Sequence, residues 1–299
     1  MASVNYAKEY QSQLEQAFPY VLYFGALYNS PSNSRFSWVG AKTIAVPTIL
    51  TTGRVDADRD TILSRARNWD NNYTEFTLQN FRCWETLVHP RDIAETKGAA
   101  AIGNITQVYN EEQKFPEMDA YTISKIYSEW TTLGNTAISA TLTTENVLET
   151  FDTMMENMDN ARVPANGRIL YVTPSVKTLL KNADNIYRSI DAGSASSTIN
   201  RSVSRLDEVD INPVPEELMK TVYDFTEGWV ADDSAEQVRM FLVQPSSVIT
   251  PMVYNFARLD EPSAGSQGKY DYYEESYEDV FVLPLKADGI QFALEEATA

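Results

Sequence analysis

The sequence is poor in the side chains that do covalent and metal chemistry. Its 299 residues include one cysteine, Cys83, and one histidine, His89. A single cysteine excludes an intrachain disulfide, and a reducing compartment is the simple reading. A zinc site of the Cys/His type needs a cluster, and one of each is not a cluster. A Ser-His-Asp or Cys-His arrangement would have to use His89, which sits in VHPR and reads as structural or surface. No apolar run approaches the roughly 18 residues of a spanning helix, so no membrane partner is expected. The opening MASVNYAKEY lacks the basic-then-apolar order of a secretory signal. Without that signal, the Asn-x-Ser/Thr triplets at Asn72, Asn104 and Asn200 read as chance matches. Positive charge is scarce as well. There are 24 Lys and Arg against 42 Asp and Glu, a net charge of -18. Such a surface repels phosphates and argues against sequence-specific nucleic-acid recognition. It suits a wall that lies near nucleic acid without holding it, and equally a merely soluble protein.

What is present describes an ordinary folded chain, with 43% hydrophobic and 22% charged residues. That is enough for one large or two medium domains. Asp56, Asp58 and Asp60 alternate as a calcium loop begins, but the required Gly is Thr61 and the required Glu is Arg67. TTGRVDADRD has neither the glycines nor the Lys-Ser/Thr pair of a phosphate loop. No cofactor is expected. The densest acids, Glu274, Glu275, Glu278 and Asp279, lie within KYDYYEESYED. On a strand, Glu274 and Glu278 share one face, while Glu275 and Asp279 share the other with Tyr273, Tyr277 and Phe281. Catalytic acid pairs usually converge from separate elements. A solvated or interface strand is the favoured reading, and tyrosine suits contact surfaces.

Along the chain, residues 5–28 read as a short helix or an arm, broken at Pro19. Residues 36–50 and 73–84 read as strands, joined by a charged excursion longer than a usual hairpin turn. Tyr73, Thr77 and Phe81, four apart, can share a face. A helix is expected over 91–112, and a clearer one over 116–134. There Pro116 suits the first turn, Glu117 and Asp119 suit the positive end of the dipole, and Gly134 stops the helix. Ile123, Ile126, Trp130 and Leu133 make its apolar stripe. A second helix, 143–161, is capped by Thr143 or Thr144 and buries Val147, Phe151, Met154 or Met155, and Met158. Residues 167–174 read as a strand entering a helix over 174–183, with a boundary near Pro164. Residues 189–205 and 257–269 read as loops. The segment 209–219 is a strand running into a turn, and 237–252 is strand, turn, then strand or short helix. GIQFALEE reads as a closing strand.

Taken in order, these segments resemble the major capsid proteins of tailed double-stranded DNA bacteriophages, those of the Hong Kong 97 type. KTIAVPTILTTGRVDADRD followed by YTEFTLQNFRCW is similar to that family's extended loop. FPEMDAYTISKIYSEW, with Pro116, Glu117, Asp119, Ala120 and Tyr121, is similar to the entry of its spine helix, which here carries Trp130. NGRILYVTPSVKTLLKNADNIYRSID and SRLDEVDINPVP, with Pro174 and Pro215, resemble its axial domain. YEDVFVLPLKADGIQFAL, with Asp279, Phe281 and Lys286, resembles its last peripheral strands. The likeness spans about residues 35–295. Departures are His89-Pro90 before Arg91-Asp92, where Asp is common, and the missing Gly before Ile211.

The resemblance implies an α+β fold of Hong Kong 97 type. Its parts would be an N-terminal arm (1–35), an extended loop (36–84), a peripheral domain (85–164), an axial domain (165–268) and returning terminal strands (269–299). It implies a non-enzymatic shell subunit that self-assembles as hexamers and pentamers around double-stranded DNA, without recognising its sequence. Implied partners are further copies of the chain, a separate scaffolding protein, a portal protein and a possible decoration protein. Assembly would occur in the host cytoplasm and the product would reside in the virion. Arg54, Arg59, Arg65 and Arg67 alternate with Asp56, Asp58 and Asp60 near the loop tip, a pattern able to pair across a subunit contact. Lys42, the lysine within 36–84, lies at the loop base, and no crosslink is assigned to it. The alternatives are an encapsulin-like compartment shell, a carbohydrate-active enzyme using an acidic pair, and a monomeric binding module.

Overall fold

The computed structural model describes residues 21–56, 59–60, 67–96, 98, 100–183 and 203–296. It begins with one helical turn, α1 (Gly25–Tyr28), and a 3-10 turn at Pro31–Ser34. Strands β1 (Ser37–Trp38), β2 (Thr43–Thr51), β3 (Trp69–Thr77) and β4 (Phe81–Val88) follow. The next stretch is helical: α2 (Pro90–Glu95), α3 (Ile102–Tyr109), a π turn (Asn110–Lys114) and α4 (Phe115–Thr132). Then come β5 (Ile138–Ser139), α5 (Val147–Asn160), β6 (Ile169–Val172) and α6 (Pro174–Asn182). The remaining strands are β7 (Arg205–Leu206), β8 (Val209–Pro213), β9 (Tyr223–Asp224), β10 (Val230–Ala231), β11 (Val238–Val243), β12 (Val248–Ile249), β13 (Met252–Asp260), β14 (Tyr270–Glu278), β15 (Phe281–Val282) and β16 (Ile290–Leu294).

A six-stranded mixed sheet, in the order β5-β16-β11-β6-β8-β7, organises the core. Side chains alternate across a strand, so a sheet covered on both faces reads as continuous apolar sequence. ILYV in β6 and VRMFLV in β11 are such runs. Tyr171, Phe241, Val243 and Phe292 face α1 and α4, joining Phe24, Ile123, Ile126 and Trp130 in one core. Leu170, Val172, Met240, Leu242 and Ala293 face the other way, joining Val147, Phe151, Met154 and Met158 of α5 and Val176 and Leu180 of α6. The first core is an aromatic ladder. Ring centroids are 4.7 Å apart for Phe24–Tyr171, 4.6 Å for Phe241–Phe292 and 5.2 Å for Trp130–Phe292. A three-stranded antiparallel sheet, β13-β14-β4, and the hairpin sheet β1-β2-β3 complete the molecule's main sheets.

Several expected elements take a different form. Residues 73–84 are two strands, not one, because Leu78–Asn80 turn the chain from the hairpin into the β13-β14-β4 sheet. Tyr73 and Phe81 therefore lie in different sheets, and both are exposed. The loop expected at 257–269 is strand as far as Asp260, where pairing with Asp271 ends. The helix expected to start at Pro116 runs unbroken from Ile102 to Thr132. Proline has no N–H for the preceding turn, and its ring crowds that turn's carbonyl. The π turn just ahead of Pro116 widens the helix where this conflict falls. Glu117 and Asp119 thus sit inside a helix and have other partners. Ile123, Ile126 and Trp130 are buried as expected, but Leu133 is 42% exposed, because the helix ends at Thr132 with Gly134 at φ +92°. At α5 the cap position is Asn146, and Thr143 Oγ1 instead accepts from the Glu145 and Asn146 amides in the turn before it. His89 caps α2, its Nδ1 accepting from the Arg91 amide at 3.1 Å. The reading of residues 5–20 and 189–202 lies outside the described residues.

Candidate assembly surface

The hairpin is built on an apolar base and a bare stem. Ile44, Ala45 and Val46 are buried at the start of β2, and Phe76 lies against Phe281 with ring centroids 5.0 Å apart. The register runs unbroken from Thr43↔Thr77 to Thr51↔Trp69. Beyond Pro47 the ribbon loses its cover: Ile49 is 68% exposed, Leu50 58%, Trp69 51% and Tyr73 57%. An isolated two-stranded ribbon is marginal in water, and apolar side chains on its surface add no stability to the chain by itself.

Of the residues expected near its tip, Arg54, Asp56, Arg59 and Asp60 are exposed. Asp58 and Arg65 lie outside the described residues. Arg67 is occupied within its own hairpin. Its guanidinium sits 4.1 Å from the Trp69 ring, and it donates to the Trp69 carbonyl at 3.0 Å and to Asn71 Oδ1 at 3.4 Å.

Where the hairpin leaves the body, all three linking residues are held. Leu78 is buried, its amide donates to the Lys42 carbonyl, and its own carbonyl accepts from the Tyr277 hydroxyl at 2.6 Å. The Gln79 amide donates to Asp279 Oδ2 at 2.8 Å, and the Asn80 carbonyl accepts from the Glu278 amide at 3.2 Å. Asp279 is 1% exposed and accepts two further bonds through Oδ1, from the Tyr121 hydroxyl and the Val280 amide, each 2.8 Å. One carboxylate thus ties the hairpin root to the long helix. Burial, followed by the charge of Asp279, holds the Tyr121 hydroxyl far above the ordinary tyrosine range, so it stays a donor.

The tyrosine-acid strand β14 runs between β13 and β4 at the centre of its sheet, and is not a solvated edge. Glu274, Ser276 and Glu278 are buried beneath the helical layer. Lys114, last residue of the π turn, reaches Glu274 at 3.0 Å, and Tyr272 donates to the same carboxylate at 2.8 Å. Burial first, and then this bond, push the Tyr272 hydroxyl up to about 12. Arg82 of β4 pairs with Glu117 at 2.5 Å, and Trp84 stacks on Tyr109 at 3.9 Å. Burial raises the Glu278 carboxyl above its ordinary value, with Lys114 opposing. The space between these groups is about 30 Å³. That is room for about one water molecule, far below the hundreds of Å³ of a small-molecule site. Glu274, Glu278 and Asp279 therefore do not face a space able to take a sugar ring. Among the described residues, no group of three His, Cys, Asp or Glu could hold a metal ion, and no helix is long and apolar enough to cross a membrane.

The remaining singled-out residues are structural. Asp119, fully buried, accepts from the Tyr23 and Phe24 amides at 2.9 and 3.0 Å and fixes the entry of the chain against α4. Trp130 is 1% exposed, Pro174 occupies the first turn of α6, and Pro215 precedes the 3-10 turn at Glu216–Leu218. Phe281 lies 4% exposed at the hairpin base, beneath the Lys125 ammonium. Lys286 donates to the Ser246 carbonyl at 2.9 Å and to Ser32 Oγ at 3.3 Å. Sequence reasoning passed over Gln79, Arg82 and Lys114. Their partners lie between 35 and 200 residues away along the chain, and no local pattern marks them.

No family model matches the sequence, and no curated protein matches it. The fold does have solved counterparts. The asymmetric unit of the bacteriophage PhiM1 mature capsid aligns with a TM-score of 0.71 at 12% identity, covering 100% of this chain and 98% of that one. The capsid structure of the cyanophage P-SCSP1u aligns at 0.67 and 12% identity, covering 98% and 94%. The capsid of the native GTA particle aligns at 0.60 and 12% identity, covering 97% and 96%. The chain therefore shares, over nearly its full length, the fold of the chains in those capsids.

Proposed function

We propose that this chain is the major shell subunit of a tailed-phage head, of the Hong Kong 97 type, and that it is not an enzyme. The observation that carries the reading is the bare hairpin: a pinned root, an ordered register and an apolar stem left exposed among the described residues. The full-length likeness to capsid chains supports the same reading. In it, copies join as hexamers and pentamers, the hairpin lies across a neighbour, and the closed shell encloses double-stranded DNA. Many modest contacts then add through symmetry and multivalency. The net charge of -18 supports a wall that does not trap the DNA it encloses. The strand-rich half around β6–β11 would serve as the axial domain, and α4 as the spine of the peripheral domain. A scaffolding protein, a portal at one vertex and a decoration protein are the partners such a shell would use, with assembly in the host cytoplasm.

The test is negative-stain electron microscopy of the full chain, expressed alone and with a candidate scaffolding protein. Shells, tubes or free capsomers are expected. A monomer of 33.7 kDa under every condition would refute the reading. Shells that carry an enzyme cargo and no DNA would instead identify an encapsulin-like compartment.

A further inference from the structure

A groove of about 480 Å³ opens at the hairpin base, between β2 and the segment after β15. Its walls are Val46, Pro47, Ile49, Leu283, Pro284 and Leu285, and two cations, Arg35 and Lys286, stand at it. Ile49 and Leu285 are 68% and 71% exposed. Lys286 has a hydroxyl and a carbonyl as partners, and no carboxylate among the described residues pairs with either side chain. Burial and the neighbouring Arg35 charge both lower the Lys286 pKa, so an incoming carboxylate would relieve a repulsion already present.

We infer that this groove is a docking site for a second copy of the chain, which inserts an apolar side chain flanked by a carboxylate. The inference rests on the shell reading above and adds which surface receives the neighbour. Two observations choose a second copy as the occupant. The chain's surplus of acids makes the neighbour's surface complementary to an unpaired Arg-Lys pair. The exposed stem residue Ile49 is itself part of the groove wall, so one neighbour can cover the groove and that face of the stem.

Sedimentation equilibrium of the full chain, with the substitutions Arg35→Glu and Leu285→Asp made separately, tests this. Both side chains are exposed, so the fold should survive, and matched urea midpoints verify that it does. Each substitution is expected to weaken copy-to-copy association by about tenfold or more. Raising salt should weaken the parent more than the Arg35→Glu protein. Association within about twofold of the parent for both variants would overturn the inference while leaving the shell reading standing. A parent that never self-associates would overturn both. A parent that associates only after an unrelated acidic protein is added would overturn the second copy as occupant.

Discussion

Replacing Asp279 with alanine should be among the most damaging single changes in the chain. The carboxylate is 1% exposed and accepts from three donors, the Gln79 amide, the Val280 amide and the Tyr121 hydroxyl. Removing it leaves the buried Val280 amide, the part-buried Gln79 amide and the half-buried Tyr121 hydroxyl without this acceptor. A buried donor left without a partner costs about 1–3 kcal/mol, and water can reach the other two, so the total should be about 2–4 kcal/mol. Tyr121→Phe removes only one of these bonds and leaves Asp279 two donors, so it should cost about 1 kcal/mol. The two changes share a bond and should not add. The double variant should be more stable than the sum predicts by about 0.5–2 kcal/mol. Asp279→Asn is a sharper probe, because its amide group must turn an N–H toward another N–H or toward the tyrosine hydroxyl. It should fall between the other two. Urea unfolding followed by tryptophan fluorescence measures all four proteins. An Asp279→Ala protein within about 1 kcal/mol of the parent would refute the claim that this carboxylate ties hairpin root to helix.

Glu278→Gln should flatten the pH dependence of stability. Its carboxyl is held above the ordinary 4.5 by burial, so folding takes up a proton. That contribution is fully present below 4.5 and is lost as pH rises through the higher folded value. Urea midpoints at pH 5 and pH 7 should therefore differ less in the variant. Glu129, also raised by burial, keeps some slope. Trp130→Ala, which empties a site ringed by Tyr127 and Phe292, should cost about 3–5 kcal/mol in the same unfolding assay. Lys114→Met should cost about 2–4 kcal/mol, because it leaves Glu274 buried with the Tyr272 hydroxyl but without a cation. Leu50→Asp on the bare stem should leave the urea midpoint of the subunit within about 0.5 kcal/mol of the parent while abolishing assembled particles in micrographs.

What was legible in the sequence was what repeats at short range. Ile123, Ile126 and Trp130 announce a helix face, and ILYV and VRMFLV announce strands covered on both sides. Gly134 marks a stop because its positive φ suits glycine. What local pattern could not supply was partner choice. Asp119 and Glu117 look like acids placed for a helix dipole, yet one binds the entering chain and the other an arginine of β4. Pro116 looks like a first-turn proline, yet the π turn lets the helix pass through it. Glu274 and Glu278 look solvated by composition. They are buried because Lys114, 160 residues away, and the helical layer cover them. Residues 73–84 carry strand propensity throughout, and only tertiary contacts at Leu78–Asn80 decide that one strand becomes two. The tip charges are legible as alternation, and Arg54, Asp56 and Arg59 are exposed.

The three-residue root of the hairpin has a mechanical consequence. Nine-residue strands span about 30 Å at strand rise, and roughly the outer half stands clear of the body. The ribbon is therefore a lever, and Leu78–Asn80 are its fulcrum, riveted on one side to Tyr277 and Glu278 and on the other to Asp279 and the long helix. A load applied at the far end reaches the body as torque on those few bonds. A ribbon hung on a slack loop would swivel and dissipate the load, but this one must either hold its angle or turn α4 along with it. In the proposed shell, copies linked by such levers would feel each other's tilt, and the angle between neighbours would be set inside each copy by one buried aspartate.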